Sequence, residues 1–215
     1  MHKTQLKISE IFHSIQGEST LVGFPTVFIR LTGCPLRCSW CDTEYAFSGG
    51  QWLEIEDIIK QVSSYATPYV CVTGGEPLSQ KRCIRLLDQL IENGYTVSLE
   101  TSGAISLANV NDKVITVMDL KAPGSGEEQR NLYENINYLD GKDQIKFVVK
   151  DRTDYHWAQD IIKRYNLIDK CEVLLSPVAG VINPADLAQW ILDDKLLVRM
   201  QLQLHKILWN DAQGR

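Results

Sequence analysis

The sequence predicts an α/β fold: a partial, incomplete parallel β/α barrel of about six or seven strands, in one domain over residues 1–215. Three observations predict it. Short apolar runs alternate with amphipathic segments at helical spacing, a rhythm that joins parallel strands through right-handed crossovers. The convincing helices are too few for the eight repeats of a closed barrel. No Ser-, Gly- or Pro-rich linker divides the chain, and 44% hydrophobic with 23% charged residues suits one folded core and argues against disorder.

Residues 6–14 alternate, with Leu6, Ile8 and Glu10 set against Lys7, Ser9 and Ile11, which predicts an irregular, half-buried strand broken by Ile15-Gln16-Gly17-Glu18-Ser19. Residues 26–31 form a nearly continuous apolar run, as in strands buried on both faces, and this run delivers a cysteine-rich loop. Over 53–65, Leu53, Ile58, Ile59 and Val62 at helical spacing, with Glu54, Glu56 and Asp57 early, predict an amphipathic helix. A strand over 69–73 ends in Gly74-Gly75-Glu76-Pro77. A helix follows over about 80–93, with Ile84, Leu87, Leu90 and Ile91 on one face and Gly94 as its stop. Strands are expected over 96–99, 114–118, 145–149 and 171–175, helices over 154–165 and 184–192, the latter capped by Asn183, and a last strand over 197–204.

Polar residues gather where these strands stop: Thr73 with Gly74-Gly75-Glu76, Glu100-Thr101-Ser102, Asp119 with Lys121, Ser176, and Gln203 with His205. In parallel barrels and open α/β sheets that edge binds ligands, so these residues and the cysteine loop should face one cavity. Taken singly, Glu100 and Ser102 fit a capping or turn role as well as a functional one.

A net charge of −5 provides no basic field for a phosphate backbone and argues against nucleic acid as a partner. The start, Met1-His2-Lys3-Thr4-Gln5-Leu6-Lys7, lacks the apolar run of a signal peptide, and no apolar stretch approaches the length of a membrane span, so a cytoplasmic protein is expected. Its six cysteines then read as ligands or buried thiols rather than disulfides. Cys71, Cys83 and Cys171, in apolar surroundings and far apart, read as small buried hydrophobes.

The other three lie in Gly33-Cys34-Pro35-Leu36-Arg37-Cys38-Ser39-Trp40-Cys41-Asp42-Thr43, at the spacing C-x3-C-x2-C. Soft sulfur ligands so close together suit zinc or an iron–sulfur cluster. A structural zinc site wants four protein ligands, and no second Cys or Cys/His pair follows; a zinc knuckle short of one ligand is the alternative. Three cysteines on a four-iron cluster leave one iron open to a small molecule.

This triad, just after Thr26-Val27-Phe28-Ile29-Arg30-Leu31, resembles the radical S-adenosylmethionine (SAM) superfamily, and Gly74-Gly75-Glu76-Pro77 resembles its G-G-E-P segment, whose glycines let backbone approach a ligand closely. Phe12-His13-Ser14-Ile15-Gln16-Gly17-Glu18-Ser19, Gly23-Phe24-Pro25 and Cys41-Asp42-Thr43 narrow the resemblance to the 7-carboxy-7-deazaguanine synthase family of the queuosine (deazapurine) pathway. It continues through Leu99-Glu100-Thr101-Ser102-Gly103 and Leu202-Gln203-Leu204-His205-Lys206, and so covers most of the chain.

The resemblance implies a partial barrel of the radical SAM type. It implies a carbon–nitrogen lyase that converts 6-carboxy-5,6,7,8-tetrahydropterin into 7-carboxy-7-deazaguanine with loss of ammonia. The ring contraction starts from a 5′-deoxyadenosyl radical, and SAM is regenerated. The implied cofactors are a 4Fe-4S cluster on Cys34, Cys38 and Cys41, SAM, and Mg2+ at the Thr43 hydroxyl, an oxygen ligand suited to that ion. On the SAM side it places Trp40, Asp42, Gly75, Glu76, Asp119, Leu120, Lys121 and Ser176. On the substrate side it places Ile15, Gln16, Gly17, Glu18, Arg30, Thr73 and His205, with Glu18 accepting from the guanidine-like edge and Arg30 on the carboxylate. A guanidinium grips a carboxylate with two parallel hydrogen bonds, although Arg30 also fits a pairing with Glu10 or Asp42. No residue is assigned as a catalytic acid or base. An electron donor such as flavodoxin or ferredoxin and a homodimer are further implications.

The chain departs from the family pattern where many relatives carry Ser-Pro-Lys and it reads Asp119-Leu120-Lys121, and again at Ser176-Pro177-Val178-Ala179. Residues 209–215 receive no role. The rival reading is a glycyl-radical enzyme activating protein, which shares the cysteine spacing but acts on a glycine of a partner; Gln16-Gly17-Glu18 and Arg30 favour a small carboxylated substrate. A non-catalytic zinc or iron–sulfur interaction module is disfavoured by the open cluster corner and by Gly-Gly-Glu-Pro.

Overall fold

The strands are β1 (Gln5–Ile15), β2 (Pro25–Leu31), β3 (Gln51–Glu54), β4 (Tyr69–Gly74), β5 (Thr96–Thr101), β6 (Ile115–Asp119), β7 (Gln144–Val149), β8 (Glu172–Pro177) and β9 (Arg199–Met200), and the helices are α1 (Ile55–Ser63), α2 (Cys83–Glu92), α3 (Arg152–Tyr165), α4 (Pro184–Asp193) and α5 (Leu204–Trp209). The computed structural model describes residues 4–210 and 212–214; residues 1–3, 211 and 215 lie outside the described residues.

Among the described residues, nine strands form one sheet in the order β3-β1-β2-β4-β5-β6-β7-β8-β9. From β2 through β4 to β9, seven strands run parallel, which is the expected run. The count rises to nine because β1 and β3 add an antiparallel edge. β3 and β9 end the sheet without meeting, so the barrel stays open. β1 carries the expected irregularity as a shift of register between Ile8 and Glu10.

The central strands are buried on both faces, and the helices cover them through single apolar stripes. Val70, Cys71 and Val72 of β4 and Val97, Ser98 and Leu99 of β5 are fully buried. α1 buries Ile55, Ile58 and Val62, and α2 buries Cys83, Leu86, Leu87 and Leu90. Each such side chain contributes about 1.5–3 kcal/mol on burial. The buried face of α2 is therefore turned slightly from the expected one, with Ile84 and Ile91 only partly covered. Asp151 caps α3 by accepting from the Thr153 and Asp154 N–H groups, and Asn183 caps α4 by accepting from Ala185 N–H. Cys71, Cys83 and Cys171 are buried as expected; burial raises the first two thiols far above the ordinary range and pushes Cys171 up to about 11.

Two sequence expectations are corrected here. Leu53 belongs to β3, and the helix begins only at Ile55. The stretch 197–204 is not a strand: only Arg199 and Met200 pair with β8, and α5 starts at Leu204. Leu197 is 77% exposed, so its apolar side chain marks no sheet position. The chain leaves the sheet at Gln201, whose amide exchanges two hydrogen bonds with the Ser19 backbone, at 2.9 and 3.1 Å. Among the described residues no helix is long and apolar enough to cross a membrane.

The turn after β4 packs directly on the cysteine loop. A Cβ on Gly74, whose φ is +151°, would meet Leu31 O at 2.3 Å, and one on Gly75 would meet Gly33 O at 2.4 Å and Cys34 Cβ at 2.7 Å. Glu76 N–H donates to Gly33 O at 2.8 Å. The Glu76 carboxylate turns the other way and is fully buried, accepting from Leu78 N–H, the Thr101 hydroxyl, Ser102 N–H and the Ser102 hydroxyl. Its side chain is a staple between the ends of β4 and β5. Glu76→Gln should therefore cost about 1–3 kcal/mol, because an amide cannot accept all these bonds. An unchanged urea midpoint would contradict the staple.

Candidate active site

The C-terminal ends of the parallel strands surround a cavity of about 580 Å³. From the segment after β1 come Ile15, Gln16, Gly17 and Glu18, from β2 Arg30, and from the loop after it Cys34, Cys38, Trp40, Cys41, Asp42 and Thr43. Thr73 enters from β4 and Gly75 from the turn after it, Asp119 and Lys121 from β6 and the residues after it, and His205 from α5. Every expected substrate and metal position therefore lines this one cavity.

Three expected SAM-side residues do not line it. Glu76 is the staple described above. The Leu120 side chain is fully buried in the core, while its N–H donates to Lys146 O. Ser176 sits within β8, 2% exposed, and the cavity is reached instead by Val178 and Ala179, which follow that strand.

Hydrogen bonds hold the cavity's polar groups in pairs. Arg30 Nε donates to Glu10 Oε1 at 2.7 Å, and the Tyr45 hydroxyl donates to the same oxygen at 2.8 Å. The Glu10 alternative for Arg30 is thus realised with Arg30 still at the cavity wall. Thr73 Oγ1 donates to Glu100 Oε2 at 2.9 Å and Gln16 Nε2 to Glu100 Oε1 at 3.3 Å. Lys121 Nζ lies 2.9 Å from Asp119 Oδ2. The Thr43 hydroxyl donates to Asp42 Oδ1 at 2.7 Å, and Lys206 lies 3.4 Å from Asp42 Oδ2. Burial opposes ionisation of Asp42, but that hydroxyl, Lys206, Lys146 and Gln203 together hold its pKa at about 2.

The N-terminal segment and the chain's end are packed on one another. Leu204 N–H donates to Gly17 O at 3.0 Å, and a Cβ on Gly17 would meet His205 Nδ1 at 2.4 Å. Only glycine lets the backbone of 16–18 and His205 share this corner.

Cys34, Cys38 and Cys41 are free, half-buried thiols. Burial raises all three above the ordinary thiol range, while the Lys121 ammonium pulls each one down. Among the described residues no three His, Cys, Asp or Glu side chains are gathered tightly enough for a single metal ion. Cys34, Cys38 and Cys41 together on one cavity wall are a donor set of the kind that iron–sulfur clusters take from a chain.

Gln203, expected beside His205 at this edge, lines the cavity, while several lining residues carry no assignment from the sequence: Phe12, Tyr45, Lys146, and Asn210, Ala212, Gln213 and Gly214 near the chain's end. Lys146 carried a readable signal, a lone charge inside an apolar run. The others had none, since folding alone brings them to the site.

The family model for the radical SAM superfamily matches residues 28–117. The chain is 41% identical over 219 residues to a 7-carboxy-7-deazaguanine synthase of Koribacter versatilis, covering 95% of this chain and 97% of that protein. It is 43% identical over 213 residues to a 7-carboxy-7-deazaguanine synthase of Chlorobaculum tepidum, covering 97% of each. Its fold is similar to the crystal structure of QueE from Escherichia coli, with a TM-score of 0.78 and 23% identity over 94% of this chain and 95% of that one.

Proposed function

The chain belongs to the 7-carboxy-7-deazaguanine synthase family of radical SAM enzymes, and from that premise we propose how its cavity carries out the reaction. The substrate is 6-carboxy-5,6,7,8-tetrahydropterin and the product 7-carboxy-7-deazaguanine, formed by ring contraction with loss of ammonia. The observation that carries this reading is the meeting of three cysteine thiols, Arg30 and the Gln16–Glu18 segment in one cavity.

Cys34, Cys38 and Cys41 would hold the 4Fe-4S cluster, with SAM bordered by Trp40, Asp42, Gly75, Asp119 and Lys121. When bound, the cluster and SAM supply the one-electron chemistry that removes a hydrogen atom from the substrate. The chain's own residues bind, orient and exclude water. Arg30 receives the substrate carboxylate: Glu10 takes its Nε–H and orients the guanidinium, which leaves the terminal nitrogens for a bidentate grip. Glu18 accepts from the guanidine-like edge, Gln16 contributes its amide, and Thr73 and His205 complete the polar wall. Phe12 and Phe28, stacked 5.0 Å apart, line the same cavity and keep part of it dry. Thr43 would offer Mg2+ a hydroxyl oxygen, the kind of ligand this ion takes.

A homodimer, a flavodoxin- or ferredoxin-type electron donor and a cytoplasmic setting complete this reading. A glycyl-radical activating role is not favoured, because a glycine on a partner protein has no carboxylate or guanidine-like edge for Arg30 and Glu18. The test is anaerobic incubation of the cluster-loaded enzyme with SAM, reductant, Mg2+ and the carboxypterin. Mass spectrometry should find the deazaguanine, and deoxyadenosine without it would overturn the assignment.

A further inference from the structure

Lys146 sits in the middle of β7, inside the apolar run Ile145-Lys146-Phe147-Val148-Val149, and points into the cavity with only 13% of its side chain exposed. Its Nζ is 2.5 Å from Glu18 Oε2 and 3.6 Å from Asp119 Oδ2. The other Glu18 oxygen accepts from Gln203 Nε2 at 2.8 Å. Glu18, itself 10% exposed on its side chain, is therefore gripped on both oxygens, from β7 on one side and from the segment before α5 on the other. A buried ammonium costs several kcal/mol to desolvate unless it is paired. Burial alone would lower its pKa, but Glu18, Asp119 and Glu100 outweigh burial and raise it.

We infer that Lys146 is a positioning residue for the substrate: it fixes the Glu18 carboxylate in the orientation that accepts from the donor edge of the bicyclic ring. Each carboxylate oxygen has two lone-pair sites, so an oxygen held by Lys146 still has one to offer a ligand. Without the ammonium, Glu18 keeps one neutral partner and is free to swing towards it. Asp119 would not release with it, since Lys121 holds the same oxygen at 2.9 Å. The effect should therefore fall on the substrate rather than on SAM. This inference rests on the reading of Glu18 as a substrate contact.

The test compares wild type, Lys146→Met, Lys146→Arg, Glu18→Gln and the double variant Lys146→Met/Glu18→Gln as cluster-loaded holoenzymes, measuring kcat and KM for the carboxypterin and the Kd of SAM. Lys146→Met should raise KM by about tenfold or more with SAM affinity within about twofold, as expected for one charge-assisted hydrogen bond. Lys146→Arg should recover most of the loss. In the Glu18→Gln background, Lys146→Met should change KM by no more than about threefold, because the two residues act as one unit. A KM within twofold of wild type, additive effects in the double variant, or an equal loss of SAM affinity would each overturn the inference. Should Lys146→Met fail to fold, Lys146→Gln enters the same cycle with the same criteria. Wild type without deazaguanine would overturn the reading of the whole site, whereas wild type with product and an unmoved variant KM overturns only the role of Lys146.

Discussion

Cys38→Ala is expected to give a folded protein that assembles no four-iron cluster and cleaves no SAM. The loop does not need the thiol to keep its course. Gly33 N–H donates to Ala46 O at 2.8 Å, Glu76 N–H to Gly33 O at 2.8 Å and Ser39 N–H to Ser125 O at 3.0 Å, and Gly75 presses on the loop's backbone. Cys38 itself is half-buried and bonded to no other cysteine. Its removal leaves two thiolates where the cluster needs three, and thiolates are the ligands that such clusters take from a chain. Iron content and the charge-transfer absorption after anaerobic reconstitution check this. An unchanged absorption band would show that the cysteine loop is not the cluster's seat.

Arg30→Gln should lower kcat/KM for the carboxypterin by about 10- to 100-fold, chiefly through KM. Hydrogen bonds to a charged group contribute about 1.5–3 kcal/mol each, and a glutamine amide offers neither the charge nor the fork. Arg30→Lys should recover only part of the loss, since an ammonium meets a carboxylate as a point charge. Glu10 would lose its cation but keep the Tyr45 hydroxyl, so the fold should survive. Thermal melting alongside the kinetics separates the two effects. A variant that binds substrate as tightly as wild type would mean that Arg30 serves Glu10 alone.

The parts of this molecule that were legible in the sequence are those where one physical requirement dominates. A strand covered on both faces must be apolar throughout, and Val70-Cys71-Val72 announces itself in that way. Three cysteines in one loop have few uses other than a metal centre, and most of the polar residues where the strands stop gather at one cavity, Glu76 and Ser176 excepted. The misread parts depend on partners distant in sequence. Leu197 and Leu202 look like strand residues but stay exposed, because the path of the chain there is set by Gln201 gripping the Ser19 backbone. Glu76 stands in a recognisable motif, yet where its carboxylate goes is decided by Thr101 and Ser102 at the end of the next strand. Leu120 lies one residue from Asp119 and Lys121, which reach the cavity, and a period of two leaves no middle ground between wall and core; Ser176 is buried inside β8, and the chain reaches the cavity only beyond that strand, at Val178 and Ala179.

The ratio of deazaguanine formed to SAM supplied tests the proposed reaction most directly. With SAM limiting and the carboxypterin in excess under anaerobic reduction, product should exceed SAM many-fold while deoxyadenosine stays low. One deoxyadenosine released for every substrate consumed, or deoxyadenosine with no deazaguanine at all, would contradict it.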